Sequence, residues 1–175
     1  KDQPFFLFHN TQLPHMNANQ EWNARAETKS KYRVEQMPVA SSRLDDLNSK
    51  PAYLKSVRNR VKAADYGYPD VDAIRLHTLN YYSVITEMDD ALSRLFRSIE
   101  NLGLWQNTYI FFISDNGWML GEHGFTSKVL PYQPSSQVPL FILGPGIRPG
   151  AGKNLVSNID MAPTLLDLAG LQIPE

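Results

Sequence analysis

The amino-acid sequence predicts an α/β fold, and three observations carry that prediction. Short continuous apolar runs, "PFFLFH" (4–9), "YIFFIS" (109–114) and "VPLFIL" (138–143), have the length and composition of buried strands. Between the first two lies a stretch, 72–102, whose apolar residues recur at steps of three and four. A shorter helical pattern, "SNIDMAPTLLDLAG" (157–170), closes the chain. Strand, helix, strand, strand, helix is an α/β order.

Each element has its own justification. After 4–9 a loop carries "LPH", ending at His15. Residues 17–70 are polar, with scattered prolines and weak helical patches near 21–30 and 52–63. They are neither low-complexity nor rich in Gly and Ser, so they read as an insertion over the core and not as a linker. Over 72–102, Thr78, Tyr81, Ile85, Met88, Leu92, Leu95, Ile99 and Leu102 fall on one helical face. Gly103 stands where such a helix ends in a left-handed residue. "GPGIRPG" (144–150) is a turn-rich loop. In the last helix Asn158 or Asp160 is the expected N-cap, Pro163 lies in the first turn and Gly170 just past the end.

The bulk properties exclude several classes. The chain has 175 residues, 42% hydrophobic and 20% charged, with a formal net charge of −1. That describes one domain with a real core. No stripe of Lys and Arg marks a nucleic-acid or anionic membrane partner. No apolar run reaches the ~20 residues that span a bilayer. There is no cysteine, so these residues hold no disulfide, thiolate metal site or cysteine nucleophile. Because "KDQPFFLF" enters an apolar run almost at once, the expectation is a piece of a longer protein, without its localisation signals.

The chemistry concentrates in "FFISDNGWMLGEHGFTSK" (111–128). In open α/β sheets ligands sit beyond the carboxyl ends of strands. One candidate strand leads to His15, another to Asp115 and Asn116. The oxygens of Asp and Asn suit a hard cation such as Ca2+ or Mg2+ and not zinc. Two oxygens cannot complete a shell of six to eight, so further ligands must come from elsewhere. Taken alone, "SDNG" is also an ordinary turn, Lys128 a surface lysine, and Glu122 with His123 a loop ion pair.

Order and spacing change that balance. "DNGWMLGEHGFTSK", then "YQPSSQVPLFILGPGI", then "VSNIDMAPTLLDLAGLQIP" resembles the C-terminal half of the catalytic domain of formylglycine-dependent sulfatases, within the alkaline phosphatase superfamily. "PFFLFHNTQLPH" and "NYYSVITEMDDALSRLFRSIENLGLWQNT" resemble earlier segments of that domain, in the same order. The resemblance implies an alkaline-phosphatase-like sandwich with a central mixed, mostly parallel sheet flanked by helices, present as a fragment. Residues 1–175 would be a partial catalytic domain, with 17–70 a variable insertion and 72–175 the metal- and sulfate-binding half. Asp115 and Asn116 are similar to two ligands of the active-site Ca2+, with Mg2+ as the other possible ion. Lys128 and His15 resemble the groups that contact the sulfate. Glu122 and His123 would support them. The substrate would be a sulfated small molecule or glycan. The family also suggests a periplasmic or extracellular setting.

Some positions depart from the pattern. His15 is followed by Met16 and Asn17 where the family continues x-Pro, and Gln133 stands where an acid is usual. Nothing matches the Cys/Ser-x-Pro-Ser-Arg motif that yields formylglycine; "VASSRLDD" lacks the proline. The expectation is therefore a sulfuric ester hydrolase whose nucleophile and remaining ligands lie in missing N-terminal sequence. The fragment alone should be inactive, with self-association through the surface that truncation exposes. A phosphodiesterase or phosphonate monoester hydrolase of the same superfamily is the alternative enzyme; a binding module that keeps the fold without catalysis is the alternative outside enzymes.

Overall fold

The computed structural model describes residues 3–174. The chain divides into two compact units. One comprises the chain up to Trp105 together with Asn116–Gln137, the other Gln106–Asp115 together with the chain from Val138 onward.

The first unit is organised by one long helix. Helix α1 (Ala26–Lys29) and α2 (Arg58–Asp65) precede α3 (Val71–Asn101). Asp70 caps α3 by accepting from the Asp72 backbone N–H, and Gly103 (φ +68°) follows its end in the left-handed region. The periodic stripe thus forms the expected helix. Its buried positions are Ile74, Thr78, Leu79, Ser83, Val84 and Met88, all in the first two-thirds, whereas Leu102 is exposed. Two short strands, β2 (Met119–Leu120) and β3 (Thr126–Ser127), pair antiparallel as a hairpin, followed by α4 (Gln133–Ser136).

Polar as it is, 17–70 supplies part of every core cluster. Trp22 and Ala24 pack with Met16 and Val84; Leu47 and Leu54 with Met119 and Phe125; Ala63 and Tyr68 with Ile74. Burial of a side chain of that size contributes about 1.5–3 kcal/mol. The few apolar residues of this segment are therefore the ones that seat it.

The second unit contains β1 (Ile110–Ile113), β4 (Leu140–Leu143) and α5 (Met161–Leu168). Strand β1 pairs with β4 antiparallel, Ile110 opposite Leu143 and Ile113 opposite Leu140. Ahead of α5, a capping box sits on a single turn at Asn158–Asp160: Ser157 is the capping residue and Asp160 its reciprocal partner. Asp160, one of the two expected residues, stands at the N-cap of α5 itself, while its side chain serves the turn before it. Asn158 instead donates its side-chain N–H to the Ser114 carbonyl (3.1 Å), tying the approach to α5 to the end of β1.

Three expectations are corrected. Residues 4–9 form no strand and are exposed, Phe6 at 73% and Phe8 at 79%. A strand needs a ladder partner, and none of the described residues provides one. Strands β1 and β4 are not buried as expected; Phe141 is 61% exposed. Their pairing is antiparallel, as is that of β2 with β3, so the mostly parallel sheet is not formed by the described residues. A parallel pair requires a crossover of a dozen or more residues, usually a helix. Residues 114–139 are long enough for one, but they form the hairpin, one turn at Glu122–Gly124 and the four-residue α4, and no crossover helix. The mixed helix-and-strand class stands. No helix among the described residues is long and apolar enough to cross a membrane.

Candidate active site

Beyond β1 the chain turns through Ser114-Asp115-Asn116-Gly117. Asp115 is exposed and Asn116 half-buried. Gly117 is required by close approach. Its N–H donates to the Ser135 carbonyl (2.9 Å), and a Cβ at this position would collide with the backbone carbonyl of Pro134. The turn is thereby seated on α4. Asn116 donates its Nδ2 hydrogen to the Gly117 carbonyl (2.9 Å), which points Oδ1 the other way. That oxygen accepts from Lys128 Nζ at 2.8 Å. Two candidate site residues, twelve apart in the chain, are thus in direct contact.

The hairpin that carries Lys128 is held from outside itself. Glu122 accepts from the Leu120 N–H (2.6 Å) across the bend. His123 has φ +53°, a left-handed conformation costly for a residue with a side chain. Its backbone N–H and carbonyl and its Nδ1 are engaged by the 41–60 region. The backbone N–H donates to Ser42 Oγ (3.3 Å), the carbonyl accepts from Arg60 Nη1 (2.7 Å), and Nδ1 bonds Asp45 Oδ2 (2.7 Å). The Leu47 backbone N–H, and after it the His123 ring, hold the Asp45 carboxyl below the usual carboxylate range. Tyr132 packs on the same imidazole, centroids 4.7 Å apart. Sequence reasoning missed Ser42, Asp45, Asn59 and Arg60. The one available signal was the spacing of Asn59 and Ala63, which share the buried face of α2.

His15 is exposed; its Nδ1 donates to the Met16 carbonyl at 2.8 Å, leaving Nε2 outward. The Pro14 carbonyl beside it accepts from Trp22 Nε1 (2.6 Å), which fixes this loop to the core. Of two cavities, one of about 490 Å3 is lined by Trp22, Tyr66, His77 and Asn80 among others, and one of about 230 Å3 includes Glu122 in its lining but none of His15, Asp115, Asn116 and Lys128.

The donors fit a hard cation in part. A carboxylate such as that of Asp115 and an amide oxygen such as that of Asn116 are the donor types a hard cation takes, and Asn116 Oδ1 accepts here from Lys128 Nζ. Among the described residues no cluster of three or more His, Asp or Glu completes a metal shell.

The motif string and this geometry coincide with a match to known proteins. The family model described as Sulfatase matches residues 1–171. The chain belongs to the sulfatase family. This sulfatase chain is 31% identical over 182 residues to arylsulfatase K of Xenopus laevis, covering 99% of itself and 33% of that protein. Among solved structures it is similar to a protein in complex with its substrate D-glucosamine-2-N,6-O-disulfate (TM-score 0.74, 22% identity, 94% of this chain and 44% of that one). It is also similar to a phosphonate monoester hydrolase from Silicibacter pomeroyi (TM-score 0.73, 26% identity, 85% and 31%). These likenesses give the sulfatase chain its alkaline-phosphatase-like fold. It spans about a third of the arylsulfatase K relative and less than half of either solved chain.

Proposed function

We propose that this chain carries part of the active centre of a sulfuric ester hydrolase. Lys128 and His15 bind the sulfuryl group, Asp115 and Asn116 help to hold Ca2+ or Mg2+, and a formylglycine nucleophile comes from outside residues 1–175. Residues 17–70 are then an insertion that steadies the site, and 72–175 its metal- and sulfate-binding half. The observation that carries this reading is the contact between Lys128 Nζ and Asn116 Oδ1, inside a Sulfatase match that spans 1–171.

Attack at sulfur with cleavage of the S–O bond gathers negative charge on the non-bridging oxygens. Lysine supplies a mobile cationic donor suited to those oxygens. His15 has its Nδ1 engaged by the Met16 carbonyl, so Nε2 is the ring nitrogen left for the sulfuryl group. A bound divalent cation would draw charge from the same oxygens. Glu122 and His123 act on the loop and not on the substrate, since their contacts are with Leu120, Ser42, Asp45 and Arg60. The names of the arylsulfatase K and N-acetylglucosamine-6-O-sulfatase relatives support a sulfated small molecule or glycan as substrate.

The likeness to the phosphonate monoester hydrolase favours a second reading, since the same donors serve phosphorus. Paired assays of the gene product on an aryl sulfate and an aryl phosphonate decide between them. Lys128→Ala is expected to lower sulfate ester turnover by about 10²–10³-fold. It should cost at most about 1–1.5 kcal/mol of stability, the worth of its single hydrogen bond to Asn116, so turnover falls far more than stability. Residues 1–175 alone are expected to be no faster than buffer, since groups that act as a unit lose their effect together. Turnover by that segment, abolished by Asp115→Ala, would overturn the assignment of the nucleophile.

A further inference from the structure

Asn59 is 6% exposed, one turn before Ala63 on the buried face of α2. A buried carboxamide must spend its N–H groups on something. Asn59 Nδ2 donates to the Thr126 carbonyl at 2.7 Å and to the Lys128 carbonyl at 2.8 Å. One amide thus serves the carbonyl of Thr126, in β3, and that of Lys128, just past its end. Ser127 between them has φ +70°, and Val129 just after has φ +73°. Neither is glycine, so each conformation costs about 1–2 kcal/mol and persists only where surroundings impose it. Packing beyond Lys128 does not impose it, because Val129 is 85% exposed.

We propose that Asn59 is a positioning residue for Lys128. By gripping the backbone on both sides of Ser127 it fixes where the lysine departs from the chain, and so where its ammonium meets Asn116 Oδ1. The proposal rests on the reading of Lys128 as a sulfuryl-binding group, yet its anchoring is measurable without any substrate. Arg60, the next residue of α2, holds the neighbouring His123 carbonyl, so α2 fixes the hairpin at two places. The bland alternative is that Asn59 merely satisfies two buried carbonyls.

The test uses the protein as its gene encodes it, with Asn59→Ala and the milder Asn59→Ser, whose hydroxyl retains a donor. Trace acetylation with acetic anhydride, read by mass spectrometry, compares Lys128 with Lys31 and Lys153 in the same sample. Released from its anchor, Lys128 should become several-fold more reactive while the two surface lysines stay constant; general unfolding would raise all three. Sulfate ester turnover should fall about 10–100-fold, the effect of an ångström-scale misplacement. In a Lys128→Ala background the same substitution should cost less than about 2-fold. Equal losses in the two backgrounds, or unchanged Lys128 reactivity in both variants, overturn the proposal. Altered Lys128 reactivity in a protein that hydrolyses no sulfate ester would uphold the positioning role and sink the functional reading.

Discussion

His77 shows how one side chain couples this core to pH. Its ring lies 4.6 Å from the Trp22 ring and 4.9 Å from that of Tyr66, and its Nδ1 accepts from the Tyr68 hydroxyl at 2.6 Å. Burial pushes the imidazole down to about 4 and the Tyr68 phenol up, so the neutral pair is the stable form. With the folded value depressed, the unfolded chain binds the extra proton first as pH falls. The contribution is complete above about pH 6.5 and is lost between there and about pH 4. Its size is on the order of 3 kcal/mol, at 1.36 kcal/mol per unit. His77→Asn keeps an acceptor for Tyr68 and removes the titration. Its denaturant-measured stability should be flatter than that of the parent from pH 4 to 6.5; parallel curves would show that the ring is solvated. None of this was legible in the sequence, where His77 is one polar letter on a helix. Lys128 and Asn116 were legible because their spacing matches a known string. Asn59 was not, since its two bonds run to backbone carbonyls, which carry no letter.

Among the elements, α3 and the capped α5 were readable because periodicity and caps are local properties of the chain. The hairpin was not. Strands β2 and β3 have two residues each, and what shapes them is α2, some sixty residues away, through Asn59 and Arg60. The turn at 114–117 depends likewise on a neighbour. Gly117 is there because α4 presents the Pro134 carbonyl to it, not because its own φ demands glycine. Gly117→Ala should therefore force Asn116 away from Lys128 and cost about 1–3 kcal/mol, the range for overpacking. Thermal unfolding together with Lys128 acetylation checks both effects. Unchanged stability would mean that the turn can move off α4 without cost.

At the scale of the molecule, the family could be read from the sequence while the sheet could not. A strand's identity is in its residues, but its pairing depends on which other strands are available. The runs at 109–114 and 138–143 found each other; the run at 4–9 has no strand partner among the described residues. Phe5, Phe6, Leu7 and Phe8 all remain at least 59% exposed, beside unpaired backbone that can template association. The purified 175-residue chain should elute above its monomer mass at about 10 μM, and Phe6→Asp with Phe8→Asp should shift it toward monomer. A monomer in both cases would show that this segment is inert. Inside a cell the same feature sets a schedule. Exposed apolar segments are what holdase chaperones and proteases grip, so a chain whose Phe5–Phe8 stays uncovered is expected to be cleared faster than one in which it is covered. Quality control would then act on the covering of this segment, well before any ester bond is tested.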